Sequence, residues 1–355
     1  MKVKIIGAGS VGNHLAQASR RMGWNVAVVD SDPSALLRMK NDIYPKRYGA
    51  WDEKIELFLA GEEPKGGFDI IMIGTPPDSH ISLARSVLKE KPRLILIEKP
   101  LATPNLKGVA EFLLELEAYP DTIVIVGYNH AVSESVDYVF RLLELTAVGQ
   151  VETIDVEFRE HWQGIFSAHP WLSGPKDSYL GFWERGGGAG GEHSHALHLW
   201  LLLAKRSGLG IPIKISVFMD MKNSGGTDYD SVAAFTFLTN KGKIGRVIQD
   251  VVTLPPRKWA RIQGEKGFIE WICNGSPEGD IVRTNVGAPV GQSFEKIFSK
   301  KRPDDFYREL LHIEGLLKKF IRPEESPLSL ASGISVMKIL ANAYLHQNAT
   351  TNIVL

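Results

Sequence analysis

Short apolar runs and amphipathic segments alternate along the first part of the chain. The apolar runs lie at 3–6, 25–29, 70–73, 94–97 and 122–126. The segments between them carry apolar residues at the spacing of one helix face, as at 11–22, 79–89 and 106–116. Apolar strands that alternate with helices are typical of a parallel sheet covered on both faces. The pattern therefore predicts an α/β domain with a doubly wound parallel sheet of the Rossmann type over residues 1–128.

After this domain the pattern changes, because strand-like stretches follow one another with few helices between them. They lie at 151–158, 213–219, 231–237, 245–252, 259–263 and 268–272. One helix is predicted from near Gly191 through Leu203 and another over 330–344. Residues 274–301 are rich in Gly, Ser, Asn and Lys and are predicted to be an exposed loop. We expect residues 129–355 to form an α+β domain with a large, mostly antiparallel open sheet.

Length and charge narrow the class of protein. The 355 residues agree with two domains, because single cores seldom grow beyond about 250–300 residues. Lysine and arginine number 41, as do aspartate and glutamate, so no net positive charge would attract nucleic acid or an anionic membrane. The single cysteine, Cys273, excludes an internal disulfide and any zinc site with several thiolates. Because no apolar run approaches the roughly 20 residues of a membrane span and the first strand leaves no room for a signal peptide, we expect a cytoplasmic protein.

A glycine-rich turn joins the first strand to the first helix. From Gly7 to Gly12 it reads Gly-Ala-Gly-Ser-Val-Gly, the G-x-G-x-x-G pattern of dinucleotide-binding βαβ units. In this pattern Gly7 permits the tight turn, Gly9 admits a diphosphate close to the backbone, and Gly12 lets helix and strand pack closely. Ser10 and Val11 open the helix, whose N-terminus favours an anion. The alternative is that these glycines only shape a turn.

The residue at the end of the second strand bears on the choice of cofactor. Asp30 follows the glycine turn by close to the roughly 20 residues expected for a carboxylate that binds a ribose 2′-hydroxyl. Its charge would repel the 2′-phosphate of NADP, and no basic residue follows in 31–34. We therefore predict NAD in preference to NADP. A helix cap is the alternative role for Asp30.

Four further motifs follow in chain order. They are Gly74-Thr75-Pro76-Pro77-Asp78-Ser79-His80, Glu98-Lys99-Pro100, Gly127-Tyr128-Asn129-His130, and Gly186-Gly187-Gly188 with Glu192, His195 and His198 after it. Together they cover nearly the whole chain, and the chain resembles the Gfo/Idh/MocA family of oxidoreductases, named for glucose-fructose oxidoreductase and inositol dehydrogenase. The resemblance implies an NAD(P)-binding site that includes Thr75, Pro76, Pro77, His80, Glu98, Lys99 and Asn129. It also implies that Lys99, Glu192 and His195 are catalytic and that Tyr128, His130 and His198 contact substrate.

Lys99 occupies the position that suits proton transfer. The proline after it disfavours helical geometry, so we expect the lysine to project from a strand end into the crevice where open α/β sheets bind ligands. In a partly dry pocket beside a nicotinamide ring, this amine would exchange a proton with the substrate oxygen. The alternative is a solvated surface lysine that pairs with Glu98.

The acidic and histidine residues after the glycine run recur at every third position. Glu192, His195 and His198 therefore fall on one broad face of the predicted helix. The resemblance implies that His195 hydrogen-bonds the reacting oxygen and shares the proton transfer with Lys99. The chain departs from the family pattern in having Glu at 192, where Asp is common, and His at 198, where Asp or Asn is usual. A zinc site that includes His193 is the alternative, but His193 lies about a right angle round the helix from Glu192, so no metal is predicted.

Aromatic and basic residues are concentrated in 159–185, just before this helix. We predict that Trp171, Tyr179 and Arg185 belong to a substrate lid, in which rings stack on the apolar faces of a sugar and the arginine binds a carboxylate or phosphate. Packing at a domain or subunit interface is the alternative.

The whole pattern predicts an NAD-dependent dehydrogenase. It would transfer hydride between nicotinamide and a hydroxyl or carbonyl carbon of a sugar, polyol or sugar nucleotide. Two alternatives share the fold: a sensor that binds dinucleotide and ligand without turnover, and a lyase or hydrolase that recycles tightly bound NAD. By the same resemblance, the open sheet of the second domain would mediate a homodimer or homotetramer.

Overall fold

The computed structural model describes residues 1–167, 169 and 171–355, with the side chain of Arg302 left out. The chain forms two compact units. The first contains Met1–Asn129 and Arg302–Gly333, and the second contains His130–Lys301 and Ile334–Leu355. The chain thus returns to the first unit near its C-terminus, a feature that the alternation of strands and helices does not predict.

A six-stranded parallel sheet forms the centre of the first unit. Its strands are β1 (Lys2–Ile6), β2 (Asn25–Asp30), β3 (Ile55–Leu59), β4 (Ile70–Ile73), β5 (Leu94–Ile97) and β6 (Ile123–Val126). Their order, β3-β2-β1-β4-β5-β6, reverses direction next to β1, so the predicted doubly wound sheet is confirmed. In such sheets ligands bind outside the carboxyl ends of the strands. Those ends are where the motifs lie.

Helices connect these strands. They are α1 (Ser10–Arg21), α2 (Pro33–Arg38), α3 (Tyr44–Tyr48), α4 (Pro77–Leu88) and α5 (Val109–Leu116), with a π-helical turn at Met39–Ile43. Local signals fix two of the starts. Asp32 caps α2 by accepting the amide of Ser34 at 2.8 Å, and Pro77 opens α4, where its missing N–H is not needed.

A nine-stranded sheet dominates the second unit. After α6 (Glu134–Glu144), the elements in chain order are β7 (Val151–Arg159), α7 (Trp162–Ser167), α8 (Gly188–Glu192), α9 (His195–Ser207), β8 (Pro212–Ser224), β9 (Thr227–Thr239), β10 (Ile244–Asp250), β11 (Arg257–Gly264), β12 (Gly267–Ser276), β13 (Gly279–Thr284), β14 (Phe294–Ser299), α10 (Arg302–Leu317), α11 (Leu330–Leu345) and β15 (Ala349–Asn352). The sheet order is β14-β13-β12-β11-β7-β10-β9-β8-β15, and every pair is antiparallel except β7 with β10. The predicted α+β architecture with a mostly antiparallel sheet is confirmed.

Two local predictions in this part of the chain are wrong. Residues 274–301 are not one exposed loop, because they contain the end of β12 together with β13 and β14. Of β14 only Phe298 is buried, so this edge strand needs no apolar face and its polar composition resembles that of a loop. The predicted helix through 191–203 is divided into α8 and α9, which meet at His193 and Ser194.

The returning segment completes the first unit. Phe306 of α10 stacks on His14 of α1 with 4.7 Å between ring centroids. Farther along, the amide of Val126 donates to the carbonyl of Leu328 at 2.9 Å, so this segment also pairs with the edge strand β6. Across the part of the chain that the structure describes, no helix is both long and apolar enough to span a bilayer.

Candidate cofactor and active site

The glycines between β1 and α1 have two different structural roles. Gly7 has a φ of +108°, and a Cβ there would lie 2.8 Å from the carbonyl oxygen of Gly74. A Cβ on Gly12 would lie 1.9 Å from the carbonyl oxygen of Gly7, so both positions are fixed by close packing. A Cβ on Gly9 would meet nothing within 4 Å. The turn therefore leaves open space at Gly9, beside the start of a helix whose first amides lack acceptors within the helix, which fits a bound diphosphate.

Asp30 is tied to this turn. Its carboxylate accepts the amide of Ala8 at 2.7 Å and the amide of Asp32 at 2.9 Å. Because Asp32 caps α2, the alternative role of Asp30 as the cap of that helix is not observed. The partly exposed Ser10 and Val11 complete the edge formed by β1, β2 and α1.

His80 joins two of the predicted cofactor-binding loops. It is fully buried, and its ring nitrogens lie 3.0 Å from the carbonyl oxygen of Pro100 and 2.7 Å from that of Thr75. Burial lowers the pKa of the His80 imidazole despite these hydrogen bonds, so the neutral ring donates to one carbonyl at a time. His80 thus holds the loop after β4 against the loop after β5. In the first of these loops Pro76 is exposed, whereas Pro77 is buried at the start of α4.

Lys99 is the one partly exposed residue of the Glu98-Lys99-Pro100 motif. Of the described residues 94–104, every one is buried except Lys99. Its backbone amide donates to the carboxylate of Glu98 at 3.3 Å. Glu98 is itself only 6% exposed, and a Cβ on Gly127 would lie 2.9 Å from its Oε1. The backbone after β5 therefore buries Glu98 and leaves Lys99 partly exposed.

The two residues after Gly127 are buried in the first unit. Tyr128 is fully buried and Asn129 is 5% exposed. They lie directly after β6, which places them at the same carboxyl edge of the sheet as Lys99.

In the second unit, the glycine run packs more tightly than its sequence indicates. A Cβ on Gly187 would lie 2.2 Å from the carbonyl oxygen of Tyr179, and one on Gly188 would lie 2.0 Å from Oδ1 of Asp230. The amide of Gly190 donates to Oδ2 of Asp230 at 2.7 Å, and the hydroxyl of Tyr344 donates to Oδ1 at 2.6 Å. Asp230 therefore fixes α8 from strand β9.

Asp230 is also the most strongly perturbed acid in the environment of α8. Complete burial raises its pKa from 3.8 to about 7, although the hydrogen bonds from Tyr344 and Gly190 oppose the shift. The charge of a residue that positions α8 thus changes close to neutral pH.

Glu192 and His195 reach the surface beyond this glycine run. Of the described residues 186–200, they alone are partly exposed and all the others are buried. The ring of His195 contacts the edge of His130 at a centroid distance of 4.7 Å and stacks on Phe158 at 6.1 Å. His130 is 5% exposed and Phe158 is fully buried, so the imidazole of His195 rests on aromatic side chains that cannot move freely.

The two neighbouring histidines face the interior. His193 is 3% exposed and His198 is 2% exposed. Because α8 ends at Glu192 and α9 begins at His195, Glu192, His195 and His198 do not share one continuous helix face. In the described part of the chain, no group of three or more His, Cys, Asp or Glu side chains is arranged to hold a metal ion.

Glu160 and Lys258 form an ion pair near Glu192 and His193 that the sequence analysis did not predict. Burial opposes ionisation of Glu160, but its pKa is lowered overall by Lys258 at 2.8 Å and by the nearby His193, against the repulsion of Glu192. Glu160 directly follows β7. Lys99 was predicted from its position as a charged residue at the end of a strand. Glu160 has the same kind of position and could have been predicted in the same way.

The predicted lid segment divides into buried and exposed parts. Tyr179 packs against an apolar cluster in the second unit, formed by Trp162, Ile165, Leu180, Ala189 and Val251. Trp171 is partly exposed beside His169, with ring centroids 5.3 Å apart, and Arg185 is exposed. Residues 168 and 170 of this segment lie outside the described residues.

The sequence of the first domain can be compared with known families at this point. Residues 1–128 match the Gfo/Idh/MocA family model, described as an oxidoreductase family with an NAD-binding Rossmann fold. This part of the chain is therefore similar to the Gfo/Idh/MocA family. The match confirms the predicted resemblance over residues 1–128 and the prediction of NAD as cofactor. The glycine turn and Asp30 remain the predicted binding residues.

Relatives of known structure extend the likeness over the whole chain. A levoglucosan dehydrogenase in complex with NADH and L-sorbose has a TM-score of 0.73 at 14% identity, and the alignment covers 100% of this chain and 99% of that one. A myo-inositol dehydrogenase of tentative assignment from Sinorhizobium meliloti has a TM-score of 0.71 at 18% identity, with complete coverage of both chains. At these identities the likeness shows a common fold for both units.

A curated relative covers a shorter part of the chain. A glycerol-3-phosphate dehydrogenase [NAD(P)+] from Acholeplasma laidlawii is 29% identical over 182 residues, which is 48% of this chain and 51% of that protein. The chain therefore spans about half the length of this relative.

Proposed function

We propose that this protein is an NAD-dependent dehydrogenase that acts on a CH–OH group of a sugar, polyol or sugar nucleotide. The observation that carries the proposal is the presentation of Lys99. A strand end at which ten residues are buried and only the lysine is partly exposed has the form expected of a catalytic group on a rigid element.

The proposed chemistry divides the reaction between cofactor and protein. Bound NAD supplies the hydride acceptor, or NADH the donor. Lys99 exchanges the proton of the substrate oxygen, and His195 hydrogen-bonds to that oxygen. Glu192, the other partly exposed residue of 186–200, contacts the substrate hydroxyls.

The buried residues have supporting roles in this proposal. Tyr128, His130 and His198 are each at most 5% exposed, which favours support of neighbouring residues over direct contact with substrate. Trp171 and Arg185 remain the candidates for contact with substrate from 159–185, whereas the packing of Tyr179 against the apolar cluster favours a role in positioning that segment.

Two observations support the proposed substrate class. Partly exposed carboxylate and imidazole groups, with aromatic rings nearby, suit a polyhydroxylated molecule. Among the relatives with the same fold, one is a levoglucosan dehydrogenase bound to L-sorbose and another is assigned as a myo-inositol dehydrogenase, and all three compounds are polyhydroxylated.

A substrate panel tests the proposal. Purified protein would be incubated with NAD and with aldoses, polyols, uronic acids or sugar nucleotides, and NADH formation would be followed by absorbance. We expect at least one class to be oxidised. Absence of turnover in both directions, with oxidised and reduced substrates, would reject the dehydrogenase assignment.

A lysine variant tests the role of Lys99. Lys99→Met should lower kcat by about 10² or more, the usual contribution of general acid–base catalysis, while the Kd for NAD changes little. Lys107→Met, which removes an exposed lysine nearby in the sequence, is the matched control and should keep wild-type kcat. Equal kcat in the two variants would contradict the role of Lys99.

A further inference from the structure

The helix α8 has little means of holding its own position. Its five residues, Gly188–Glu192, include three glycines and one alanine, so only Glu192 has a side chain long enough to pack or to bind a ligand. Glycine disfavours helical backbone, and a helix of this length is not stable by itself in water. The position of Glu192 therefore depends on contacts that the rest of the second unit makes with the backbone of α8.

Asp230 of β9 makes the direct contact with that backbone. Its side chain is fully buried, and its Oδ2 accepts the amide of Gly190 at 2.7 Å. A Cβ on Gly188 would lie 2.0 Å from Oδ1 of Asp230, so the carboxylate occupies the space that a side chain on α8 would need. Asp230 thus contacts α8 at two residues that precede Glu192 in the same short helix.

Tyr344 of α11 holds the other oxygen of this carboxylate. Its hydroxyl donates to Oδ1 of Asp230 at 2.6 Å, and a Cβ on Gly190 would lie 2.8 Å from the same hydroxyl. The ring of Tyr344 stacks on Trp183 with 4.7 Å between centroids, and Nε1 of Trp183 donates to Asp228 at 3.1 Å. Both oxygens of Asp230 therefore accept a hydrogen bond, and the tyrosine that donates one of them is itself held by its neighbours.

We propose that Asp230 is a positioning residue for Glu192: together with Tyr344, it holds α8 so that the carboxylate of Glu192 is presented to the substrate. This inference rests on the proposed function, in which Glu192 contacts substrate hydroxyls. Asp230 is fully buried and acts only through the backbone of α8. Its substitution should therefore weaken the binding of substrate and leave the proton transfer by Lys99 nearly unaffected.

Two substitutions of Asp230 separate the hydrogen bonds from the space that the side chain fills. In Asp230→Asn the amide oxygen can accept from Gly190, and the NH2 group can donate to the hydroxyl of Tyr344, which can serve as donor or acceptor. Asp230→Leu has a similar volume and leaves both partners unpaired. Tyr344→Phe is a milder change, because it removes one hydroxyl and keeps the ring.

Asp280 provides a matched control in the same unit. It is also fully buried, and it accepts one backbone amide, from Asn274 at 2.8 Å, and one hydroxyl, from Ser135 at 2.6 Å. It also forms an ion pair with Lys300 at 3.1 Å. Asp280→Leu should therefore lower the Tm as Asp230→Leu does, but it leaves the contacts of α8 in place.

The first measurement does not depend on turnover. Hydrogen exchange of backbone amides in peptides that cover 186–194 would be followed by mass spectrometry in the protein without ligand. We expect exchange to be about tenfold faster in Asp230→Leu, about threefold faster in Tyr344→Phe, and within about twofold of wild type in Asp230→Asn and Asp280→Leu. Tyr344→Phe provides the same test if Asp230→Leu does not fold.

Two results of this measurement would overturn the proposal. One is exchange at the wild-type rate in Tyr344→Phe and in any Asp230→Leu protein that folds. The other is equal acceleration in Asp230→Leu and Asp280→Leu, because α8 would then respond to general loss of stability.

The second measurement separates substrate binding from turnover. On a substrate found with the panel, we expect Asp230→Leu to raise KM about tenfold with kcat within about threefold of wild type, and Asp230→Asn to keep a KM near that of wild type. In a Glu192→Ala background, Asp230→Leu should raise KM by less than about twofold, because the residue that it positions is absent. An equal rise in KM with and without Glu192 would contradict the positioning role. Absence of wild-type turnover on the panel would instead reject the dehydrogenase assignment, and hydrogen exchange would still test the contact of Asp230 with α8.

Discussion

The two units of this protein position their candidate catalytic residues in different ways. In the first unit, Lys99 is placed by the strand that it follows, and its motif is continuous in the sequence. In the second unit, α8 is fixed by Asp230 of β9 and Tyr344 of α11, and His195 rests on Phe158 of β7. Local sequence is sufficient to place a residue at a strand end. A residue held by distant partners depends on contacts that no local motif contains.

The largest expected effect concerns the second unit, where titration of Asp230 should make the free energy of unfolding depend on pH. Its folded pKa of about 7 exceeds the ordinary value of 3.8, so its contribution to stability is present below pH 3.8 and is lost as pH rises through 7. At about 1.4 kcal/mol per pKa unit, wild type should lose roughly 4 kcal/mol in free energy of unfolding from this group between pH 4 and pH 8. Asp230→Asn should remove that part of the pH dependence, as measured by denaturant unfolding at several pH values.

The control for this measurement lies on the same strand. Asp228→Asn changes an acid two residues away and should keep the wild-type dependence on pH. If the free energy of unfolding fell equally with rising pH in Asp230→Asn and in wild type, titration of Asp230 would not be the cause of that fall.

The glycine turn of the first unit allows folding and ligand binding to be separated. Gly12→Ala places a Cβ 1.9 Å from the oxygen of Gly7, and overpacking of this kind costs about 3 kcal/mol. Gly9→Ala meets no protein atom within 4 Å, so the Tm should stay near that of wild type while the affinity for NAD falls. Thermal unfolding without ligand and titration calorimetry with NAD would measure the two effects. A fall in Tm for Gly9→Ala as large as that for Gly12→Ala would show that both glycines serve packing alone.

Substitution of Asp30 should give the smallest effect, a change in affinity for the cofactor. Asp30→Asn weakens the acceptor at the end of β2 and removes the charge that disfavours NADP. We expect the Kd for NAD to rise about tenfold, the loss of one charge-assisted hydrogen bond, and the preference for NAD over NADP to narrow. Asp32→Asn, which alters the cap of α2 and the ion pair of Asp32 with Arg38, is the matched control for binding measured by cofactor fluorescence. An unchanged NAD/NADP preference in Asp30→Asn would remove this residue from cofactor selection.

The parallel sheet of the first unit was largely predicted from the sequence, because each of its apolar strands can be identified from neighbouring residues alone. Strands at 70–73 and 94–97 were predicted with the bounds that the structure has, since both are short, fully apolar and followed by a motif. The edge strand β3 was missed, because most of it is partly exposed and it lacks a continuous apolar run. The edge strand β14 of the other sheet was also missed, because its polar composition resembles that of a loop.

The candidate site was predictable only in part, for the same reason. Lys99, Glu192 and His195 belong to recognisable motifs, and each reaches the surface. Asp230 belongs to no motif, and its importance appears only when its burial and its partners far along the chain are known. His80 has a motif, but its contacts with two carbonyl groups show that it acts inside the protein.

The return of residues 302–333 to the first unit determines how the chain can be divided. A fragment ending at residue 128 would contain the whole parallel sheet and the glycine turn, yet it would lack α10 and the segment that pairs with β6. Its aromatic surface at His14 would lose Phe306, and an unpaired strand edge would invite aggregation. The minimal autonomous dinucleotide-binding module is therefore discontinuous in sequence, and a transplantable version requires residues 302–333 to be joined to residue 129 by a linker.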